Sequence, residues 1–283
     1  FNKTSFKNMF GCGSKVLISG LLNTLYENVY DLIIGKVFSA GTLGNYSRAS
    51  HFANFPSSNI NGIFQRVTFP VLSKIQNDHD KLRVGYLKFL NMATLVVFPL
   101  MIGLSAVAKP FILLVLTDKW VDAILILQII CFAQMWYPVH SINLNMLQVL
   151  GRSDLFLKLE IIKKIEGITV LCITLPHGII AMCFGQWFNA CFGLVINTYY
   201  SGKLLNAGLL PQLKMYIPTI LNSLIMGAIC LGVTKLLPEK EYGIQLILGI
   251  TAGATYYLVS NWIFNRSTVK ELLELLNRKK KKL

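Results

Sequence analysis

Apolar stretches long enough to cross a bilayer recur along the chain, separated by short polar breaks. A transmembrane helix needs about 20 mostly apolar residues, and hydropathy with helix breakers marks seven such stretches. They are residues 15–38, 86–108, 121–149, 155–175, 178–202, 215–237 and 242–264. The pattern predicts an all-α membrane protein that crosses the bilayer several times.

Residues 44–73 are too polar for a helix that faces lipid, so charge decides whether they also cross. Lysine and arginine concentrate in cytoplasmic loops. With 44–73 counted as a span, 20 basic residues lie inside, 4 outside and 3 within or at the ends of spans. Without that span, the basic loop around Lys74 shares a side with the linker at 39–43. The basic tail Arg278–Lys282 then lies on the side opposite the basic N-terminus. The asymmetry predicts eight spans with both termini in the cytoplasm.

Composition agrees with lipid as the solvent. The 283 residues are 54% hydrophobic and 14% charged, whereas soluble domains carry about 25% charged residues. The net charge of +14 lies in short loops between apolar runs, which argues against a nucleic-acid partner. The six cysteines form no C-x-x-C pair and mostly fall inside spans, so neither a metal nor a disulfide is expected.

The first span carries polar residues near its middle. Asn23, Glu27 and Tyr30 share one face of an ideal helix, and Asp31 borders it. Ionisable groups at this depth are costly and rarely face lipid. Glu27 and Asp31 are therefore candidates for ion coupling, and Asn23 and Tyr30 for lining a cavity. The alternative is a carboxylate that is neutral or paired with a neighbouring helix.

The second span is the most polar. Asn45, Arg48, His51, Asn59 and Arg66 share one face, although Pro56 blurs the phase between the two halves. So wide a polar surface must face protein or water. The planar fork of arginine suits phosphate, which makes this face a candidate site for an anionic substrate. Arg66 lies near the inner end, where it could instead reach the lipid headgroups.

Two further basic segments can be interpreted either structurally or functionally. Lys163 and Lys164 enter the inner part of the 155–175 span, and Glu160 lies four residues before Lys164, the spacing of an intrahelical ion pair. The alternative is an inner gate or a headgroup contact. Residues 266–283 combine an apolar stripe with a run of lysines, which predicts a helix on the inner membrane surface.

Gly249 and Gly253 are four residues apart in the last span, and this spacing predicts close packing against a neighbouring helix.

No catalytic motif is present in the sequence. The segment GCGSKV at 11–16 lacks the third glycine of a dinucleotide loop, and the histidines lack ligand spacing. The outer loops are too short for a catalytic domain. We therefore expect no enzyme, no cofactor and no metal.

Several ordered segments resemble a known family. YENVYDLIIGKVF (26–38), GNYSRASHFANFP (44–56), RVTFPVLSKIQ (66–76) and LNMLQVLGRSDLFLKLEIIKK (144–164) resemble Wzx-type polysaccharide transporters. These belong to the multidrug/oligosaccharidyl-lipid/polysaccharide superfamily. The DKW at 118–120 also fits, and the resemblance covers nearly the whole chain, more loosely after residue 205.

The resemblance implies a MATE-like flippase fold, with two six-helix bundles and two extra C-terminal helices. It implies movement of undecaprenyl-diphosphate-linked oligosaccharide across the bacterial inner membrane by alternating access, for lipopolysaccharide or other surface polysaccharide biosynthesis. Residues 1–205 then correspond to the second bundle, 206–265 to two additional helices and 266–283 to a basic cytoplasmic tail. Partners would be the lipid-linked oligosaccharide, membrane lipids and an N-terminal bundle that this chain lacks.

Two alternatives remain at this level. A cation-coupled multidrug exporter of the same superfamily would have an acidic or aromatic cavity rather than a basic one. A membrane glycan polymerase or ligase would carry a sizeable outer loop with charged residues, which the sequence lacks.

Overall fold

The computed structural model describes residues 28–238 and 241–264, which are helical with short connections. The chain divides into two compact units, residues 1–47 and 48–283. The α-helices within the described ranges are α1 (Val29–Val37), α2 (Ala40–Lys74), α3 (His79–Ala106), α4 (Ala108–Leu116), α5 (Asp122–Gln134), α6 (Tyr137–Val149), α7 (Ser153–Thr174), α8 (Ile179–Leu205), α9 (Leu209–Leu236) and α10 (Tyr242–Phe264).

In the first unit, the described part consists of α1 and the beginning of α2. Helix α1 ends at Val37, and the backbone N–H of the capping residue Phe38 donates to the carbonyl of Ile34 at 2.9 Å. The hydroxyl of Ser39 then accepts from the backbone N–H of Thr42 at 3.2 Å, which caps the start of α2. The rings of Tyr30 and Tyr46 stack with centroids 6.4 Å apart, so the two helices contact each other at this point.

Five helical segments in the described ranges are long and apolar enough to cross a membrane. They are His79–Ala106, Asp122–Val149, Ile179–Leu205, Leu209–Leu236 and Tyr242–Ile263. They coincide with five of the predicted spans and confirm a multi-pass helical membrane protein. Helices α2 and α7 carry more polar residues and fall outside this group. The count of eight spans therefore remains a prediction.

Helix α3 begins at His79, seven residues before the predicted start of its span. The side chain of Asp78 accepts from the backbone N–H of Lys81 at 3.1 Å, which satisfies one of the free donors at the helix start. The Lys81 ammonium also lies 2.9 Å from the Asp78 carboxylate. The hydrogen bond from that ammonium lowers the pKa of Asp78, so the cap stays charged.

Two features differ from the expected pattern of spans. The hydropathy pattern predicts a loop at 109–120, but α4 occupies most of these residues and packs against α5 and α10. A helix of nine residues is too short to cross the bilayer. The predicted span 121–149 is interrupted at Met135 and Trp136, and Pro138 lies in the first turn of the second piece, α6. A proline tolerates that position because its missing N–H is not needed there.

The core of the second unit lies around α3. This helix packs against α5, α6 and α9 and has buried residues all round, which explains why its apolar residues show no single face. Helix α10 packs on α9 through the predicted glycines, since a side chain at Gly253 would collide with Sγ of Cys230. The hydroxyl of Tyr257 donates to the carbonyl of Leu95 at 2.8 Å. The last two described helices are thus attached to α3.

Candidate functional site

The polar face predicted for α2 is exposed in the second unit. Arg48, His51, Asn59 and Arg66 are all exposed, as the helical spacing predicts. Arg48 and Arg66 lie 18 residues apart, which is about 27 Å along an ideal helix. This approaches the ~30 Å thickness of the hydrocarbon core. The two arginines therefore mark opposite ends of one polar stripe.

The other predicted site residues belong to the first unit or lie outside the described residues. Tyr30 and Asp31 are half-buried on α1, and Asn45 is half-buried on α2. Asn23 and Glu27 fall outside the described residues, as does the basic tail. Whether any of these residues binds substrate or couples an ion remains a prediction.

An open cavity with some polar residues in its lining and an apolar cleft meet beside Pro56 of α2. The cavity has a volume of about 640 Å³ and is lined by His51, Phe52, Asn54, Phe55, Pro56, Ser58, Leu104 and Phe111. The cleft, about 450 Å³, shares Pro56, Leu104 and Phe111 and continues along apolar residues of α3, α9 and α10. The rings of Phe52 and Phe111 meet edge to face with centroids 4.9 Å apart. Polar side chains of α2, namely His51, Asn54 and Ser58, thus lie at one end of a largely apolar surface.

The opposite side of α2 is polar as well, and it packs on α5 and α6. Ser57 donates to the carbonyl of Gln134 at 2.7 Å, and Gln65 donates to the hydroxyl of Ser141. Asn61 and Thr68, on the same side, are buried. The polar residues of α2 thus divide into a stripe that is open and one that attaches the helix to its neighbours.

A buried polar network joins four helices and is not evident from the sequence. The hydroxyl of Tyr86 on α3 donates to Oδ1 of Asn143 on α6 at 2.6 Å. Gln212 on α9 donates to Tyr86 at 2.8 Å and accepts from Tyr216 at 2.7 Å. Ser201 on α8 lies 3.2 Å from the same Oδ1 of Asn143. All five side chains are at most 1% exposed, so the network holds α3, α6, α8 and α9 together.

The basic residues of α7 lie deeper than the sequence suggests. The charge count places Lys163 among the inner basic residues, but α7 begins at Ser153, which puts Lys163 about 15 Å along the helix. Its ammonium lies 2.5 Å from the carboxylate of Glu160. This ion pair is near the middle of the helix, and both of its side chains are partly buried.

A solved structure shares the fold of this chain. The structure matches that of the lipid II flippase MurJ in its inward closed conformation, with a TM-score of 0.70 and 20% identity, over 95% of this chain and 57% of that one. At this identity the match shows the fold alone. The chain therefore has the helical arrangement of part of the MurJ structure.

The sequence comparisons find relatives that are named for polysaccharide biosynthesis. A family model described as "Polysaccharide biosynthesis protein" matches residues 1–125. The teichuronic acid biosynthesis protein TuaB of Bacillus subtilis is 27% identical over 91% of this chain and 54% of its own length. The lipopolysaccharide biosynthesis protein WzxC of Escherichia coli is 30% identical over 67% of this chain and 38% of its own length. These findings confirm the resemblance to Wzx-type transporters, and the chain spans about half the length of the curated relatives it matches.

Proposed function

We propose that this chain forms one half of a transporter that moves lipid-linked oligosaccharide across the bacterial cytoplasmic membrane by alternating access. The supporting observation is the junction at Pro56, where a cavity that presents His51, Asn54 and Ser58 adjoins an apolar cleft. A prenyl-diphosphate glycan has the same division into polar and hydrocarbon parts. The glycan and diphosphate would follow the stripe of α2, while the prenyl chain lies in the cleft or in lipid. No bond is made or broken in this process, so the protein acts as a transporter and not as an enzyme.

The two arginines of α2 fit this role. A diphosphate leaving the inner leaflet would meet Arg66 first and Arg48 later, because Lys74 at the inner end of the helix and the basic loop after it assign that end to the cytoplasm. A bidentate contact from arginine to phosphate compensates for the loss of water in the cavity. The multidrug exporter is the weaker alternative because the described stripe is basic.

Photocrosslinking tests the function. Ile250 lines the cleft and is 49% exposed, whereas Val195 on α8 is equally exposed at 51% and lies outside the cleft. Benzoylphenylalanine at position 250, in cells that make the transporter and its glycan, should yield an adduct that carries the oligosaccharide on illumination. The same probe at position 195 should capture phospholipid alone. Identical phospholipid adducts at the two positions would rule out a cleft for the carrier lipid.

The topology proposed for the transporter has eight spans with both termini in the cytoplasm. In a background with its cysteines replaced by serine, Asn77→Cys places a thiol in the turn between α2 and α3. A membrane-impermeant maleimide should label this thiol only after the cells are permeabilised, because the surrounding basic residues stay inside. Lys119→Cys, in the turn after α4, is the matched control and should react in intact cells. Labelling of the Asn77→Cys variant in intact cells would contradict the topology.

A further inference from the structure

One aromatic side chain interrupts the open polar stripe of α2. Phe55 lies seven positions after Arg48 and eleven before Arg66, spacings that return to the same face of a helix. Its side chain is 73% exposed. In a helix that crosses the bilayer, arginines face protein or water rather than lipid. The ring of Phe55 therefore shares the surroundings of the two arginines.

Hydrogen-bonding groups surround this exposed ring. Phe55 lines the cavity of about 640 Å³ together with His51, one helical turn earlier, and Ser58, one turn later. The hydroxyl of Ser58 donates to the carbonyl of Phe55 at 3.3 Å, and the amide of Asn59 donates to the same carbonyl at 2.7 Å. These two bonds hold polar side chains against the helix beside the ring.

The other two rings of the cavity contact each other. Phe52 of α2 and Phe111 of α4 meet edge to face with centroids 4.9 Å apart, and both are half-buried. Among the rings that the structure describes, Phe55 has no such partner. It therefore offers an uncovered aromatic face with hydrogen-bonding groups at its edge, in a cavity whose volume is within the range of about 300–1,000 Å³ typical of small-molecule sites.

We propose that Phe55 is the stacking platform for a pyranose ring of the transported glycan, a subsite that rests on the proposed function. One face of a pyranose consists largely of C–H bonds, whose partial positive charge is attracted to the negative face of an aromatic ring. The hydroxyl groups at the rim of the sugar would reach His51, Asn54 and Ser58. A phosphate has no apolar face for the ring, and a prenyl chain has no groups for the polar side chains.

The position of Phe55 along α2 fits the order of parts in the substrate. Seven residues correspond to about 10 Å along an ideal helix. A diphosphate bound by the long side chain of Arg48 would bring the first sugar next to Phe55. Because the C–H face is common to many pyranoses, the platform accepts different glycans. Its effect is to distinguish a carrier lipid that bears sugar from one that bears none.

Binding of two probes by the complete transporter in detergent tests the subsite. The probes are undecaprenyl diphosphate that carries one glucose and undecaprenyl diphosphate alone. The unaltered protein should bind the glucose-bearing probe roughly two- to tenfold more tightly, the range of an aromatic contact. Phe55→Leu keeps an apolar side chain but loses the aromatic face, so it should bind both probes with the affinity of the sugar-free one. Phe55→Trp should keep the preference.

Phe188→Leu on α8 is the matched control. Phe188 is also exposed, at 56%, but it lies outside the cavity. This variant should bind both probes as the unaltered protein does.

A preference for the glucose-bearing probe that persists in Phe55→Leu would overturn the proposal, as would equal binding of the two probes by the unaltered protein. An equal loss of affinity for both probes in Phe55→Leu would overturn it too, because the ring would then contact the diphosphate or the carrier lipid. These three results leave the proposed function standing. Failure of the unaltered transporter to bind either probe would contradict the proposed function, and the subsite with it.

Discussion

Replacing Arg48 with alanine in the transporter is expected to reduce glycan export by roughly ten- to a hundredfold while the protein remains in the membrane. Hydrogen bonds to charged groups contribute about 1.5–3 kcal/mol, and each 1.4 kcal/mol corresponds to about tenfold. Arg48→Lys should recover only part of the export, because lysine keeps the charge but loses the two-pronged geometry. Surface polysaccharide on cells that lack their own flippase provides the measurement, with membrane abundance determined in parallel.

Arg152→Ala is the matched control for Arg48→Ala. Arg152 is also an exposed arginine, but its guanidinium is paired with Asp154 at 2.9 Å at the start of α7. Exposed pairs of this kind contribute about 0–1 kcal/mol, so export should be unchanged. Normal export by Arg48→Ala, or an equal loss in both variants, would remove Arg48 from the substrate site.

The Gly202→Ala substitution is expected to destabilise the fold because it forces two backbone segments apart. A Cβ at Gly202 would lie 2.9 Å from Cα of Gly208 and 3.4 Å from its nitrogen. Both are backbone atoms, so relief requires the turn between α8 and α9 to shift. Overpacking of this kind costs about 1–3 kcal/mol, and the neighbouring Ser201 belongs to the buried network. The apparent Tm, measured by the fraction that stays monodisperse after heating in detergent, should fall.

The control for this substitution is another helical glycine. Gly232 on α9 is exposed and has no atom within 4 Å of the position that a Cβ would take. Alanine is about 1 kcal/mol better than glycine inside a helix, so Gly232→Ala should keep or raise the apparent Tm. If the two variants melt alike, the close approach of Gly202 to Gly208 is not a constraint on the fold.

The open stripe of α2 can be predicted because its residues are polar where lipid would require apolar ones. Arg48, Asn59 and Arg66 repeat with the period of a helix, and their exposure follows from that spacing. The packing of Gly249 and Gly253 likewise follows from their spacing in an apolar helix. These features are local, so they are visible within one segment of sequence.

The buried network cannot be predicted in the same way. Tyr86 and Gln212 are 126 positions apart, and each is an isolated polar residue in its own apolar span. Helix packing alone brings them together, and no pairing rule within a single helix indicates their partners. A weaker signal is available, since lone polar residues inside spans commonly hydrogen-bond across helices.

The network also limits how such transporters can be recombined. Consider a chimaera that joins the N-terminal part of one relative to the C-terminal helices of another, with the seam placed in a loop. A seam between α8 and α9 would separate Gln212 and Tyr216 from Tyr86, Asn143 and Ser201. Unless both parents share this set, the hybrid would bury donors and acceptors without partners. Segments α3 to α9 are therefore best inherited as a block.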